Sequence, residues 1–536
     1  MKTTKLFFMA ALALMMTASC SNDDNDILTP AQPQKAEGIP FTATITVDKS
    51  ATTRALNELS DGSITASWAD NEQVALIYTV ESTAYKTDAT VTPQGDGTAT
   101  ISATLQEGAT NGSAVTIIYP ATAAYGTTGN VKVDLLAAQN GTLTGTGGTS
   151  IAEKYDVRKG TGKLSISGGT ATVNNGTPGT PVSLTNQNSI FKFTLKDIAG
   201  TSNKAATQFI ISNASGDVLT TVTPASATNE LYVALPALAV GTYWFNATVG
   251  GAPYIAKATV GTATSAGNYY QTQVNMATLG DLMCSDGKFY ANGTAAAAAS
   301  TTPVGVIAYL GSDAFTENGT DVGGTPFVGH GLLLCLRNAA SNVKWSTEYE
   351  SKFSGQEVTG VAGLIRTTNV SGYTNTATLT ADVVTAEKYP AAKAAKNYPP
   401  DALPVGIPTL TAPAGTTGWF LPSAQQWVRM MTGLGGLSEG DITWLDWFNN
   451  DHSAADKWEA ALAKAGTEGT AYESMTDDWL WYWSSSEYSN ILAVRLNVDA
   501  RDTGAAYGFA WGNANKVYPP DAPDDPDYRV RPVLAF

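Results

Sequence analysis

The sequence predicts a mainly β protein, in which two tandem antiparallel β-sandwich domains precede a third, α+β domain. Apolar and polar residues alternate with period two through residues 40–278, which is typical of half-buried strands. Gly- and Asn-containing turn signals separate these runs at short intervals, as in a sandwich. Ten of the 12 Trp residues follow residue 340, together with two helical patterns, so a different kind of domain is expected there.

The chain begins with a pattern typical of exported proteins. Lys2 and Lys5 precede the apolar run Leu6–Met16, which is too short to span a bilayer, and small residues then lead to Cys20. This boundary resembles the signal of bacterial lipoproteins, in which the cysteine is acylated. Residues 1–19 are therefore predicted to be a lipoprotein signal peptide that leaves lipid on Cys20. The alternative is an ordinary secretory signal beside an unrelated cysteine.

An acidic segment follows the signal. Ser21–Asp26 contains three Asp residues, and residues 20–39 are predicted to be an acidic tether. The run is similar to tags on surface lipoproteins of anaerobic gut and oral bacteria, and this similarity implies a surface-exposed position on the outer membrane. A solvated acidic linker is the alternative.

Charge and cysteine content limit the classes of partner. The net charge is −16, so we expect no nucleic-acid partner. Besides Cys20, the sequence contains only Cys284 and Cys335. An even pair in an exported protein is compatible with a disulfide, but two buried free thiols fit the sequence as well.

The first sandwich is predicted over residues 40–180. Its clearest strands are Phe41–Val47, Val74–Tyr78, Ala99–Leu105 and Val115–Tyr119. A Gly-, Thr- and Pro-rich break at 174–181 separates it from a second sandwich over residues 181–278. The strands of the second sandwich are predicted at Ser189–Leu195, Gln208–Ser212, Glu230–Leu235, Tyr243–Val249 and Tyr254–Val260.

Five landmarks lie within residues 38–278: Thr53–Ala55, Ser67–Tyr78, Ile118–Pro120, Asn188–Phe193 and Leu231–Pro236. In their order and spacing they resemble fimbrillin-type (Mfa-like) proteins of Bacteroides-like bacteria. The resemblance implies a subunit of type V pili, a lipoprotein that crosses the outer membrane and joins other pilus subunits.

The same resemblance implies strand complementation. A surface protease cuts after an arginine in the first strand, and a strand from the next subunit fills the groove that is left. On this sequence the cut would fall between Arg54 and Ala55, and Phe41–Val47 would be displaced. The alternatives are that Arg54 is a loop arginine and that the chain stays uncut as an anchored lipoprotein.

The third domain is predicted over residues 279–536. Compact apolar runs at Val304–Tyr309 and Gly331–Leu336 indicate buried strands. Ser423 is a suitable N-cap for a helix Ala424–Met431 that ends near Gly433, and a second helix is expected over Ala454–Ala465.

Three motifs in this domain resemble C-type-lectin-like domains of bacterial surface lipoproteins: Gly418–Ser423, Tyr482–Glu487 and Arg531–Phe536. The resemblance implies two helices, a small antiparallel sheet and a long loop region. The apolar ending Val530–Phe536 also predicts a final strand that is locked into a core. We therefore expect a chain that accepts a strand and donates none, which is the behaviour of a fibre tip.

A ligand surface is predicted between these motifs. The calcium-binding motifs of metal-dependent lectins are missing from the sequence, so no metal and no cofactor is expected. Aromatic rings beside amides bind sugars without metal, and the candidates are Trp511, Asn513, Asn515, Tyr507 and Tyr518. Trp511 is the strongest candidate because its neighbours have the composition of a loop. The alternative is that these rings pack in the core.

No catalytic motif is present, so an enzyme is not expected. The sequence contains no His-Glu-x-x-His zinc motif, no Gly-x-Ser-x-Gly elbow and no complete P-loop. The predicted function is a fimbrial tip adhesin that binds host or microbial surface ligands through the third domain. The alternative is a non-polymerising, outer-membrane-anchored lipoprotein that binds a glycan or a protein.

Overall fold

The computed structural model is mainly β. It describes residues 38–47, 57–58, 64–65, 68–94, 97–132, 135, 138–145, 149–350, 352–353, 370–400, 406–438, 452–476, 480–499, 508–517 and 527–536.

The first sheet contains eight strands and closes on itself. Its strands are β1 (Ile39–Val47), β4 (Gln73–Val80), β5 (Thr83–Pro93), β6 (Thr98–Leu105), β7 (Ala114–Tyr119), β10 (Arg158–Ser167), β11 (Thr170–Asn174) and β12 (Val182–Asn186). Their order is β11-β1-β12-β10-β7-β4-β5-β6, and β1 also pairs with β6. This extra pairing leaves no free edge between the first and last strands of the sheet.

Smaller elements accompany this sheet. Two short strand pairs lie outside it: β2 (Asn57–Glu58) with β3 (Ile64–Thr65), and β8 (Ala124–Tyr125) with β9 (Asn130–Val131). Short helical turns occupy Ala121–Ala123 and Ile151–Tyr155. The core inside the closed sheet is built from alternate residues of its strands, and Ile45, Ile101 and Leu184 are fully buried in it.

The second sheet contains seven strands in the order β15-β14-β17-β18-β19-β13-β16. They are β13 (Ser189–Asp197), β14 (Ala206–Asn213), β15 (Val218–Val222), β16 (Glu230–Leu235), β17 (Gly241–Val249), β18 (Ala252–Val260) and β19 (Tyr269–Thr278). The sequence predicts the domain boundary at residue 180, but β12 belongs to the first sheet because it pairs with β1 and β10. The change of sheet therefore falls between Asn186 and Ser189.

The third region contains two sheets. The five-stranded sheet has the order β21-β20-β22-β25-β30 and is formed by β20 (Leu282–Cys284), β21 (Phe289–Tyr290), β22 (Pro303–Leu310), β25 (Gly331–Cys335) and β30 (Val533–Ala535). The four-stranded sheet has the order β28-β27-β26-β29 and is formed by β26 (Leu480–Glu487), β27 (Leu492–Asp499), β28 (Gly508–Asn515) and β29 (Asp527–Arg529). A short pair joins β23 (Gly319–Thr320) to β24 (Pro326–Phe327).

Six helices of the described residues lie in this third region. They are α1 (Gly293–Ala298), α2 (Gly372–Leu379), α3 (Val383–Lys388), α4 (Pro390–Lys396), α5 (Ala424–Gly433) and α6 (His452–Ala463), and a short turn of helix occupies Ser312–Ala314. Helix α5 begins at the predicted cap, where the Ser423 side chain accepts from the Gln426 N–H and the Gln426 side chain accepts from the Ser423 N–H. Within the described part of the chain, no helix is long and apolar enough to span a membrane.

The third region packs directly on the second sheet. Trp244 of β17 is buried in the same apolar cluster as Leu332 of β25 and stacks on His330 with ring centroids 4.1 Å apart. The Lys257 ammonium lies 5.2 Å from the centroid of the Trp244 ring. Burial, with Lys257 nearby, lowers the pKa of His330 to about 4, so this imidazole is neutral at physiological pH.

Candidate functional site

Strand β1 is the candidate exchange site, and it is paired along both edges. One edge forms an antiparallel ladder with β6, from Ile39 opposite Leu105 to Thr46 opposite Thr98. The other edge is parallel to two strands: Phe41 pairs with β11, and Ile45–Val47 pair with β12. Strand β1 is therefore the piece that closes the first sheet.

The inward face of β1 is apolar and buried. Phe41, Ala43, Ile45 and Val47 lie in the core of the closed sheet, while Thr42 and Thr44 between them are exposed. Full burial of one large aliphatic or aromatic side chain stabilises a fold by about 1.5–3 kcal/mol. The strand thus supplies several kcal/mol of core packing that any replacement strand would have to reproduce.

Gly38 lies directly before β1, where the neighbouring strand leaves no room for a side chain. A Cβ atom at Gly38 would lie 2.3 Å from the carbonyl oxygen of Leu105 and 2.5 Å from the Thr104 methyl group. Any larger residue would push β1 away from β6 at the first pair of the ladder.

The predicted processing and lipidation residues lie outside the described residues. This applies to Arg54, Ala55 and Cys20. Cleavage after Arg54 and acylation of Cys20 therefore stay predictions from the sequence.

Strands β18 and β19 of the second sheet are neighbours but are paired along only a short part of their length. Strands β18 and β19 share only two residue pairs, Tyr254 with Thr278 and Ile255 with Ala277. Beyond these pairs, a cavity of about 950 Å³ is lined by Ala256–Val260 of β18 and by Thr272–Asn275 of β19. The core rings Phe191 and Phe245 also line this cavity, so it reaches the apolar interior of the second sheet. The sequence did not predict this cavity, because a local pattern does not show where two strands stop pairing.

The two cysteines of the third region are buried free thiols, and the disulfide alternative is wrong for this structure. Cys284 pairs with one edge of β22 and Cys335 with the other. Because β22 lies between their strands, the backbones of the two cysteines are at least two strand spacings apart, roughly 9–10 Å. This distance exceeds the reach of a disulfide. Burial raises the pKa of Cys284 to about 12 and that of Cys335 to about 11, so neither is a reactive thiolate.

The predicted ligand residues are only partly described. Tyr507 and Tyr518 lie outside the described residues. The backbones of Trp511 and Asn513 belong to β28, where Trp511 pairs with Leu496 and Asn513 pairs with Val494. The expectation of a loop around Trp511 is therefore wrong, because this segment forms a regular antiparallel ladder with β27.

Asn515, at the end of β28, lies beside Tyr349, an aromatic ring that is not among the residues predicted from the sequence. Its side-chain amide donates to the Tyr349 hydroxyl over 3.0 Å, and Tyr349 is 55% exposed. An exposed ring beside an amide is the combination that we expected for a metal-independent sugar site. The signal was missed because the two residues are 166 positions apart in sequence.

A buried ion pair holds the base of this Tyr349–Asn515 surface. Lys516 donates to Glu487 over 2.6 Å, and both side chains are fully inaccessible. Glu487 also accepts from the backbone N–H groups of Lys352 and Phe353, and Lys516 donates to the carbonyl of Glu350. These hydrogen bonds satisfy the buried charges and fix the chain around Tyr349 against β28.

The described residues contain no group of three or more His, Cys, Asp or Glu side chains that could hold a metal ion. The two candidate sites are the backbone pairing of β1 and the aromatic and amide surface at Tyr349 and Asn515.

Comparison with known proteins gives matches among solved structures only. No protein-family model matches the chain, and no curated protein sequence matches it. A Bacteroides ovatus protein with a proposed role in cell adhesion is 10% identical over 45% of this chain and 96% of its own, with a TM-score of 0.27. A Bacteroides eggerthii protein with the same proposed role is 15% identical over 45% of this chain and 86% of its own, with a TM-score of 0.25.

The shaft pilin SpaA of Lactobacillus rhamnosus also matches. It is 12% identical over 45% of this chain and 99% of its own length, with a TM-score of 0.21. Each of these matches covers less than half of this chain.

Proposed function

We propose that this protein is a surface-exposed pilus subunit that acts as an adhesin at the fibre tip. It accepts a donated strand in the place of β1 and contacts a glycan or protein ligand through its third region. The observation that carries this proposal is the position of β1, which is paired on both edges and closes the first sheet.

Removal of β1 would create a strand-shaped site. The edge of β6 would lose eight residue pairs, and the edges of β11 and β12 would lose four. Backbone N–H and C=O groups along both edges would then need new partners. The floor of the groove would expose apolar residues such as Ile101 and Leu184, which can take alternate side chains of an incoming strand.

The role at the tip is supported by the way in which β30 is held. This strand pairs with β25 on one edge, and Val533 bridges Phe420 on the other. All three residues of β30 are buried, as is Phe536 after them. Donation of β30 to another subunit would dismantle the core of the third region.

Strand uptake is the direct test of acceptance. The purified protein is cut after Arg54 with an arginine-specific protease and mixed with a fluorescent peptide of residues 39–47. Binding to the cut protein, with no binding to the uncut protein, is expected. If the cut and uncut proteins took up the peptide equally, β1 would not be the exchange site.

Electron microscopy tests the position in the fibre. Gold-labelled antibody against residues 279–536 is applied to native fibres, and label at one end is expected. Label along the whole length would contradict the tip role.

A non-polymerising, anchored binding protein is the second candidate. It is favoured by the complete closure of the first sheet in the uncut chain, which requires no added strand. Mass spectrometry of the protein isolated from cells separates the two candidates. An intact Thr53–Ala55 peptide favours the anchored protein, and a new N-terminus at Ala55 favours the pilus subunit.

A further inference from the structure

The short strand β2 follows the first strand in sequence, but its Glu58 side chain contacts the second sheet. Its Glu58 is four residues beyond Arg54 in sequence, yet its carboxylate lies on strands β13, β16 and β19 of the second sheet. The strand pairs with β3 through two residue pairs only, so β2 and β3 cannot be held in place by their own ladder.

Four side chains donate hydrogen bonds to the Glu58 carboxylate. The Lys192 ammonium lies at 2.8 Å, the Tyr269 hydroxyl at 2.9 Å and the Gln271 amide at 3.3 Å. The Tyr232 hydroxyl makes a short fourth bond. Both oxygens of the carboxylate therefore accept hydrogen bonds.

The donors form a regular row on one face of the second sheet. Lys192 of β13 lies directly opposite Gln271 of β19 on one side and opposite Tyr232 of β16 on the other. Their positions follow from strand register alone, so the sheet presents this set of donors whether or not Glu58 is present.

The ion pair between Lys192 and Glu58 is largely shielded from solvent. The Lys192 side chain is 16% exposed and the Glu58 side chain 22%. Burial acts to raise the pKa of Glu58, but the bonds from Lys192, Tyr232 and Tyr269 outweigh it and hold the pKa below its ordinary value. The carboxylate is therefore ionised at neutral pH. Charge-assisted hydrogen bonds of this kind are stronger than hydrogen bonds between neutral groups.

We propose that Glu58 is the anchor that keeps the processed N-terminus on the second sheet when β1 is exchanged. This proposal rests on the proposed function, because it concerns the chain just beyond the cut after Arg54. The outgoing β1 then separates at the cut, while β2 and β3 stay docked and clear of the incoming strand.

Hydrogen exchange on the full mature chain tests the anchor. Exchange of the β2 and β3 amides is measured by mass spectrometry before and after cleavage at Arg54, in the parent protein and in Glu58→Gln. In the parent, we expect cleavage to change the exchange rate less than twofold. In Glu58→Gln, we expect exchange at least tenfold faster in both forms, and partial rescue in Glu58→Asp.

Glu230→Gln is the matched control. The Glu230 carboxylate lies 3.7 Å from the same Lys192 ammonium but belongs to β16 itself and is 53% exposed. This variant removes a neighbouring charge without removing the anchor, so an effect below twofold is expected. Should Glu58→Gln fail to fold, Lys192→Met removes the main donor and should give the same acceleration.

The anchor is overturned if cleavage alone accelerates exchange at β2 and β3 tenfold, or if Glu58→Gln leaves their exchange unchanged. Release of the β1 fragment is measured in the same cut samples. If the β1 fragment is not released while the β2 and β3 amides stay protected from exchange, strand exchange is contradicted and the Glu58 anchor is not. Failure of the proposed function and failure of the anchor therefore give different results.

Discussion

Strands β1 and β30 are both paired on two edges, but they are held in different ways. Strand β1 buries alternate residues in one core and exposes the others, so its contacts lie on one face. All three residues of β30 are buried, in a core to which the five-stranded sheet and helix α5 both contribute. Pairing along both edges therefore does not by itself decide whether a strand can be exchanged. Under the proposed function, β1 is exchanged because its buried contacts lie on one face, whereas β30 stays in place because all of its residues are buried.

The largest expected loss of unfolding free energy follows a substitution next to β30. Phe536→Ala should destabilise the third region by about 3–5 kcal/mol, because it deletes a fully buried ring that packs on Phe289. Urea unfolding followed by Trp fluorescence measures it. The control is Val383→Ala at a 78% exposed position, where a change below about 0.5 kcal/mol is expected. Equal effects of the two variants would contradict the description of β30 as fully fixed.

The next effect is at β1. Ile45→Ala should destabilise the uncut first sheet by about 2–5 kcal/mol, because Ile45 is fully buried in it. In protein cut after Arg54, the same change should speed release of the β1 fragment at least tenfold, as measured by size-exclusion chromatography with mass spectrometry. Thr44→Ala, at the exposed neighbouring position, is the control. Unchanged release in Ile45→Ala would mean that side-chain packing does not retain β1.

A smaller effect is expected at the start of helix α5. Ser423→Ala removes the cap three residues after Phe420, whose bridge to Val533 holds the second edge of β30. A loss of about 0.5–2 kcal/mol is expected in urea unfolding of the third region. Ser423→Thr keeps an acceptor oxygen and should lose less. If Ser423→Thr lost as much as Ser423→Ala, the cap would not be the cause.

The smallest effect is the pH dependence of the Glu58 contact. Because the folded-state pKa of Glu58 is lowered, its stabilisation is present above the ordinary Glu pKa and is lost as the pH falls through the folded value. The difference in unfolding free energy between the parent and Glu58→Gln should therefore be constant from pH 7 to about pH 5, and it should fall as the pH drops through the ordinary Glu pKa and then through the lower folded value. Glu230, which also faces Lys192, is present in both proteins.

Local elements were predictable from sequence, and long-range partners were not. The alternation of Phe41–Val47 predicted β1, and Ser423 predicted the start of α5, because both signals lie within a few neighbouring residues. The assignment of β12 to the first sheet was missed, since its partner residues in β1 are more than 130 positions away. The Glu58 cluster joins residues 134 to 213 positions apart, and no local pattern encodes such a meeting.

The candidate ligand site shows the same limit. Trp511 was assigned to a loop because Gly and Asn surround it, yet these residues form the middle of β28. Small and polar residues are tolerated there because the ladder with β27 supplies backbone bonds along its length. Composition alone therefore pointed to the wrong local structure, and the exposed Tyr349 beside Asn515 came to light only in the folded chain.

The mixed pairing of β1 has a consequence for direction. Its neighbour β6 runs antiparallel to it, while β11 and β12 run parallel to it. A replacement strand can reproduce both sets of bonds in one orientation only, since reversal would change each ladder to the other type. Subunits joined through such a site would all face the same way. Head-to-tail contacts that do not close into a ring build a polar filament whose two ends are chemically different.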